Sequence, residues 1–420
     1  MKLLIVSQYF WPESFRINEV AVLLHDAGCE VTVLTGQPNY PEGVVREGYA
    51  ALSLRTDNYF GLRVHRVPLL PRGRASAIRL ALNYFSFVAF ASVLGPWMLR
   101  GNQFDVVFVH GVSPILQAIP GIWLGRLKKA KVVTWVQDLW PESLSVTGFV
   151  RNRRLLAAVS RVVRWIYDRN DLLLVQSRAF LEPVGRLARR TPVEYHPNPG
   201  EVAFGAPTKC QPPALILPAA FNVVFAGNLG IVQSLGTILD AAAALADLKD
   251  VRLVLVGSGS RDRWLSSEIA RRRLGNVTLA GRFPPEAMPG ILSQASALLV
   301  TLVRDSIMSQ TIPSKVQAYL AAGKPIVAAL DGEGAAVVTE AGAGIACPAE
   351  DAEGLACAIR KLRGLSGMQR DAMGAAGRAY YVRHFEPRVL AQALANRLQR
   401  LAFEEQGPTP LSPHEIKEMR

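Results

Sequence analysis

Cysteine is scarce in this chain of 420 residues: the four present, Cys29, Cys210, Cys347 and Cys357, lie far apart and never form a Cys-x-x-Cys pair. A disulfide framework and a thiolate zinc site are not suggested, and a reducing compartment fits best. A secretory leader is not indicated either. The apolar run at residues 3–6 is too short for one, and the polar and aromatic residues after it offer no cleavage site, so the expected location is the cytosol. The loop at residues 7–13 contains no glycine, which removes the Gly-x-Gly-x-x-Gly turn of a dinucleotide oxidoreductase. No solenoid-period repeat occurs. Half of the residues are apolar and 19% are charged, which excludes disorder.

Acidic residues are outnumbered, with 34 Asp and Glu against 47 Lys and Arg, a net charge of +13. Residues 1–198 hold 24 basic against 14 acidic side chains, an excess of +10, whereas residues 199–420 hold 23 against 20. That asymmetry directs an anionic partner to the first half, either a lipid headgroup surface or a nucleic acid.

The length predicts two domains of about 200 residues each. Strand patterns fall at residues 3–6, 30–35, 105–109, 131–136 and 172–175, with a helical spacing at 18–26 between the first two. Helical stretches between apolar strands predict a parallel, doubly wound α/β sheet. The pattern restarts at 222–226 and continues at 251–256, 277–279, 297–300 and 325–328. Between the two series, Tyr195-His196-Pro197-Asn198-Pro199-Gly200 and Gln211-Pro212-Pro213 suit a connection. The expected division is a first domain at 1–200, a second at 201–385, a helix at 386–403 returning to the first domain, and a loose tail at 404–420.

Residues 80–98 carry no charge, and Arg74, Arg79 and Arg100 flank them. The length permits a span, but Gly95-Pro96 interrupts it and the segment lies between strands of one sheet. A hydrophobic helix in the membrane interface, or partly buried in its domain, is the expectation. Residues 151–169 interleave Arg151, Arg153, Arg154, Arg161, Arg164 and Arg169 with Leu155, Leu156, Val159, Val162, Val163 and Ile166. They read as a basic amphipathic helix, facing either anionic lipid or plain solvent.

Five segments, in this order and spacing, resemble glycosyltransferase family 4. They are Gln8-Tyr9-Phe10-Trp11-Pro12-Glu13, Thr35-Gly36-Gln37-Pro38-Asn39-Tyr40-Pro41-Glu42-Gly43, Asp138-Leu139-Trp140-Pro141-Glu142-Ser143, Gly227-Asn228-Leu229-Gly230 and Ile312-Pro313-Ser314-Lys315. The resemblance runs over nearly the whole chain and is nearest to the branch of L-fucosamine or N-acetyl-L-fucosamine transferases of surface-polysaccharide synthesis. It implies a GT-B fold, two facing Rossmann-like domains with an interdomain cleft, and retaining transfer from a UDP-sugar to a polyprenyl-diphosphate-linked saccharide. It also implies work at the inner face of the cell membrane among anionic lipids, with no nucleic acid partner. The chain departs from the wider family at Gln310 and Ala318, where two glutamates are usual, at Gln137 in place of histidine, and at Asn228 and Gln233 in place of arginine and lysine.

Within that resemblance the residues have specific chemistry. A sugar diphosphate needs small side chains and outward N–H groups at a βα turn. Gly227, Asn228 and Gly230, Gly257 and Gly259, and Gly332, Glu333 and Gly334 are the candidate donor loops, although each also reads as an ordinary tight turn. Ser314 and Lys315 open a proline-started helix, where Lys315 is the candidate cation for leaving-group charge, with Arg282 a second. Asp138, after an apolar strand, is the candidate to hold or deprotonate the acceptor hydroxyl, unless it caps a helix. Glu13, Arg16, Asn18, Asn39, Tyr40, His110 and Glu142 are the candidate acceptor-side contacts, with loop capping and packing as the alternative. No Asp-x-Asp motif is present to hold a metal against a diphosphate, so neither metal nor cofactor is expected. A nucleotide-sugar epimerase, a basic nucleic-acid-binding protein and a catalytically inert scaffold remain as rival readings.

Overall fold

The structure is a computed structural model that describes residues 1–73, 77–146, 152–201 and 214–403. Arg74, Arg151, the Gln211-Pro212-Pro213 connection and the tail at 404–420 lie outside the described residues.

The chain forms two compact units. One comprises Met1–Leu174, Val184–Glu194 and the chain from Ala391, and the other Val175–Pro183 and Tyr195–Leu390. The first is built on an eight-stranded sheet of order β3-β4-β2-β1-β5-β6-β7-β8. Its strands are β1 Lys2–Val6, β2 Glu30–Gly36, β3 Arg55–Tyr59, β4 Leu62–Val67, β5 Val106–Gly111, β6 Lys131–Val136, β7 Leu172–Val175 and β8 Val193–Tyr195. β1, β2, β4, β5 and β6 pair in parallel, and β3 lies antiparallel on β4. Leu3, Leu4, Ile5 and Val6 are all 0% exposed, the unbroken apolar run of a strand covered on both faces. The helix Pro387–Phe403 closes this unit by burying Leu394 and Leu398 among Leu3, Ile5 and Val33, about 2 kcal/mol of apolar burial for each leucine.

The second unit holds a six-stranded parallel sheet of order β11-β10-β9-β12-β13-β14. Its strands are β9 Phe221–Ala226, β10 Val251–Val256, β11 Val277–Gly281, β12 Ala297–Thr301, β13 Ile326–Ala329 and β14 Gly344–Cys347. Alternate residues of β9 enter different cores, Val223 and Phe225 on one face and Val224 and Ala226 on the other.

The interruption expected at Gly95-Pro96 does not occur, since one helix runs through both from Ala77 to Met98. Only Asn83, Phe87, Ala91 and Gly95, spaced four apart, are buried along one face. Ile78, Leu82, Phe85, Val93 and Trp97 stay exposed. The helix is long and apolar enough to cross a bilayer by length and composition. A second helix, Arg153–Tyr167, is capped by Asn152, buries Val163 and Ile166, and exposes Arg154, Leu155, Arg161, Val162 and Trp165.

Candidate functional site

Several donor-side candidates line one cavity of the second unit, of about 680 Å3, a volume suited to a small ligand. Gly227, Asn228, Gly257, Arg282, Ser314 and Lys315 all line it. Gly227 follows β9 and Gly257 follows β10, at φ of +137° and +141°, a backbone that L side chains rarely adopt. Close approach fixes them too, because a methyl on Gly257 would lie 1.8 Å from the Gly227 carbonyl oxygen.

Their own N–H groups are not the outward donors that the sequence suggested. Gly227 N–H donates to Val256 O and Gly257 N–H to Gly281 O, each at 2.8 Å, so these amides extend the sheet. The following amides, of Asn228 and Ser258, have no acceptor among the described residues. Gly259 N–H is spent on the Asp262 carboxylate at 2.8 Å. Gly230 stands beside Asn228 and does not line the cavity.

Lys315 is the second residue of the helix Ser314–Ala322. Its Nζ donates to Gln233 Oε1 and lies 3.8 Å from the centroid of the Phe225 ring. Burial pulls the ammonium down to about 7, so near neutrality the site holds a cation whose charge is easily gained or lost. Arg282 is exposed at the cavity and pairs with no acid among the described residues. Tyr319 forms part of the wall and anchors Ala226, whose N–H donates to the hydroxyl at 2.8 Å.

Gly332, Glu333 and Gly334, the third candidate donor loop, do not line this cavity. Gly332 is packed so that a methyl would meet Ser309 O at 1.9 Å, and Gly334 abuts Pro313. The Glu333 carboxyl accepts from the Arg178 and Ala179 amides and is raised by burial. Ala318 does line the cavity, where the wider family has a glutamate, whereas Gln310 bonds Ser306 O at 2.7 Å outside it.

In the first unit, Glu13 is 4% exposed, and its carboxylate accepts from Asn39 N–H at 2.8 Å, Tyr40 N–H at 2.7 Å and Phe10 N–H at 3.3 Å. Burial raises it to about 7, opposed by those three donors and by Arg66. Asn18 accepts from Trp11 N–H at 2.9 Å and donates to Glu13 O at 2.6 Å. Asn39 is 2% exposed, and its side-chain oxygen takes Arg72 N–H at 3.1 Å and the Asn83 amide at 3.3 Å. Glu13, Asn18 and Asn39 are buried and spend these hydrogen bonds inside the loops, which makes them positioning groups of this structure. His110 is likewise buried, 2% exposed and lowered to about 3 by that burial, and stays neutral.

Tyr40 remains 40% exposed, its ring near those of Tyr9 and Phe15 and under the Arg72 guanidinium at 5.0 Å. Arg16 pairs with Glu19 at 3.6 Å, and Glu142 opens the short helix Glu142–Val146 with its side chain exposed. Asp138 caps no helix. One of its oxygens accepts from Ser113 N–H at 2.7 Å, and the other has no partner among the described residues.

Two positioning residues escaped the sequence reading. Arg66 is 0% exposed and ties Asp57, Gly36 O and Trp11 O together, binding β4 to the loop after β1. β4 also carries His65 and an exposed Arg63, so no local signal distinguished Arg66. Arg72 gave none, because its placement comes from the Asn39 contact.

Family models match both halves of the chain, a glycosyl transferase 4-like domain over residues 14–199 and glycosyl transferases group 1 over residues 220–364. WcaI of Escherichia coli K12, named as a colanic acid biosynthesis glycosyl transferase, is 25% identical over 338 residues, covering 77% of this chain and 82% of WcaI. Anabaena HepE in complex with UDP has a similar fold, with a TM-score of 0.65 at 14% identity, covering 95% of this chain and 100% of that one. Sucrose-phosphate synthase of Thermosynechococcus elongatus gives 0.67 at 17% identity, covering 95% and 98%. With one glycosyl transferase model on each of its two parallel-sheet halves, the chain is a glycosyltransferase of the GT-B fold, related to group 1 and family 4.

Proposed function

We propose that this glycosyltransferase moves a deoxyamino sugar, N-acetyl-L-fucosamine, from its UDP donor to a polyprenyl-diphosphate-linked saccharide in surface-polysaccharide synthesis. Transfer retains anomeric configuration and uses no metal. The observation that carries the donor half is the Lys315 ammonium beside the glycine turns of β9 and β10, with Arg282 at the same cavity. As the bond from sugar to diphosphate breaks, negative charge grows on the departing phosphate, and a cation at a helix N-terminus offsets it. The free oxygen of Asp138 takes the hydrogen bond of the acceptor hydroxyl. UDP in the HepE structure and the colanic acid role in the WcaI name support the nucleotide and the pathway class.

A peripheral position at the inner face of the cell membrane follows from the exposed apolar side of the helix Ala77–Met98 and from Arg154 and Arg161. The test is a screen of UDP-, GDP- and dTDP-sugars for thermal stabilisation, then mass spectrometry of product on a lipid-linked acceptor. Stabilisation by UDP-sugars and one added deoxyamino sugar are expected. Stabilisation by another nucleotide alone, or no product on any lipid-linked acceptor, refutes the reading.

A further inference from the structure

The donor cavity holds a pairing that the leaving-group argument does not use. The Lys315 ammonium donates to the side-chain oxygen of Gln233, 82 residues away, and both residues line the cavity. Lys315 is confined on three sides. Its stem crosses the turn after β9, where a methyl on Gly227 would lie 2.5 Å from Cε, and its Nζ stands over the Phe225 ring. Gln233 closes the third side from the short turn Ile231–Gln233. That turn is itself fastened: Gln233 N–H donates to Gly230 O at 3.2 Å, Gln233 O accepts from the Thr301 hydroxyl, and Val303 N–H donates to Val232 O at 3.0 Å.

A primary amide accepts and donates at once. Gln233 Oε1 is taken by Lys315, whereas Nε2 has no acceptor among the described residues. The backbone amides of Asn228 and Ser258 also line this cavity without an acceptor among the described residues, so neutral donors accompany the one lysine. Charged alternatives at residue 233 lose half of this arrangement. A glutamate would neutralise the ammonium and repel phosphate, and a lysine would repel the ammonium. Burial alone lowers Lys315, and the other charged groups lining the cavity, Glu201 and Arg282, are exposed to solvent. An ammonium held by a neutral oxygen keeps its charge available to a ligand anion.

We propose that Gln233 is a diphosphate-binding and positioning residue of the transfer, its Oε1 holding the Lys315 ammonium across the glycine turn while its Nε2 donates to a phosphate oxygen of the nucleotide sugar. The proposal rests on the sugar-diphosphate reading of this cavity and deepens it. No bond is made or broken at Gln233. As the sugar departs, charge grows on the phosphate and both contacts strengthen.

UDP-N-acetyl-L-fucosamine is titrated by calorimetry into the full chain as wild type, Gln233→Met and Gln233→Glu, over about pH 6 to 9 in two buffers of different ionisation enthalpy. Melts without ligand first check that each variant folds. Loss of a hydrogen bond to a charged group should weaken binding by Gln233→Met about tenfold or more at pH 6, and Gln233→Glu should weaken it further. Proton uptake on binding is the second readout, one that a merely structural role leaves in place. Gln233→Met removes a partner of the ammonium, so the pH of greatest uptake should fall, whereas the carboxylate of Gln233→Glu should raise it.

Gln233→Met binding as tightly as wild type, or an uptake maximum that stays put in both variants, overturns the proposal. If Gln233→Met does not fold, Gln233→Glu, of the same length, decides by the same two readings. Failure of wild type to bind sinks the donor reading, and the role of Gln233 falls with it. Binding by wild type with the variants unchanged sinks the role of Gln233 alone.

Discussion

Replacing Lys315 by methionine should weaken donor binding by an amount that itself depends on pH. Burial already brings the free ammonium down to about 7. A phosphate oxygen about 4 Å away attracts it by about 4 kcal/mol at an effective dielectric near 20, and by about half of that where water shares the cavity. Taking about 2 kcal/mol, the bound lysine titrates about 1.5 units higher, near pH 8.5. Below pH 7 the lysine is charged before the ligand arrives, so the whole attraction is available. Between about 7 and 8.5 binding must recruit a proton, and affinity falls as pH rises. Lys315→Met is therefore expected to cost about thirtyfold in affinity at pH 6 and only about twofold at pH 8.5. Calorimetry with a UDP-sugar, whose phosphates stay ionised throughout, measures this directly. Repeating it in buffers of different ionisation enthalpy counts the proton taken up near pH 7.5, which Lys315→Met should abolish. A penalty that is flat across pH, or equal proton uptake by both proteins, would refute Lys315 as the titrating cation.

Other consequences are open to separate tests. Glu13 has its folded value raised to about 7 from an ordinary 4.5, so its contribution to stability is complete below about 4.5 and is lost as pH rises through 7. Denaturant melts of wild type should show that decline, and Glu13→Gln should flatten it while losing about 1–3 kcal/mol from mismatched N–H donors at pH 5. Gly257→Ala forces a methyl to 1.8 Å from Gly227 O and should cost about 3 kcal/mol or more, with loss of the UDP melting shift. Phe85→Asp with Trp97→Asp removes two exposed aromatics worth about 2 kcal/mol each in a bilayer interface, and flotation with anionic vesicles should fall by at least about a hundredfold while donor binding persists. Turnover should survive incubation with a chelator, and its abolition would establish a metal requirement.

Apolar runs such as residues 3–6 and 223–226 made the two parallel sheets legible before any coordinates, because a strand covered on both faces is apolar over its buried length. Glycine turns and the Pro313-Ser314-Lys315 start were legible for the same kind of reason, since local backbone geometry and a helix end are written in adjacent residues. β3, with the polar sequence Arg-Thr-Asp-Asn-Tyr, was not, because an edge strand takes its identity from pairing with β4. Only the tertiary structure decided which polar groups are spent inward. Glu13 meets the Asn39 and Tyr40 amides 26 and 27 residues away, and Lys315 meets Gln233 across 82 residues. It also separated Gly227 and Gly257, which border a cavity, from Gly332 and Gly334, which fill contacts with Ser309 and Pro313. Burial and hydrogen-bond saturation are sums over distant neighbours, whereas periodicity and turn chemistry are local, and that difference sets what the sequence by itself determined.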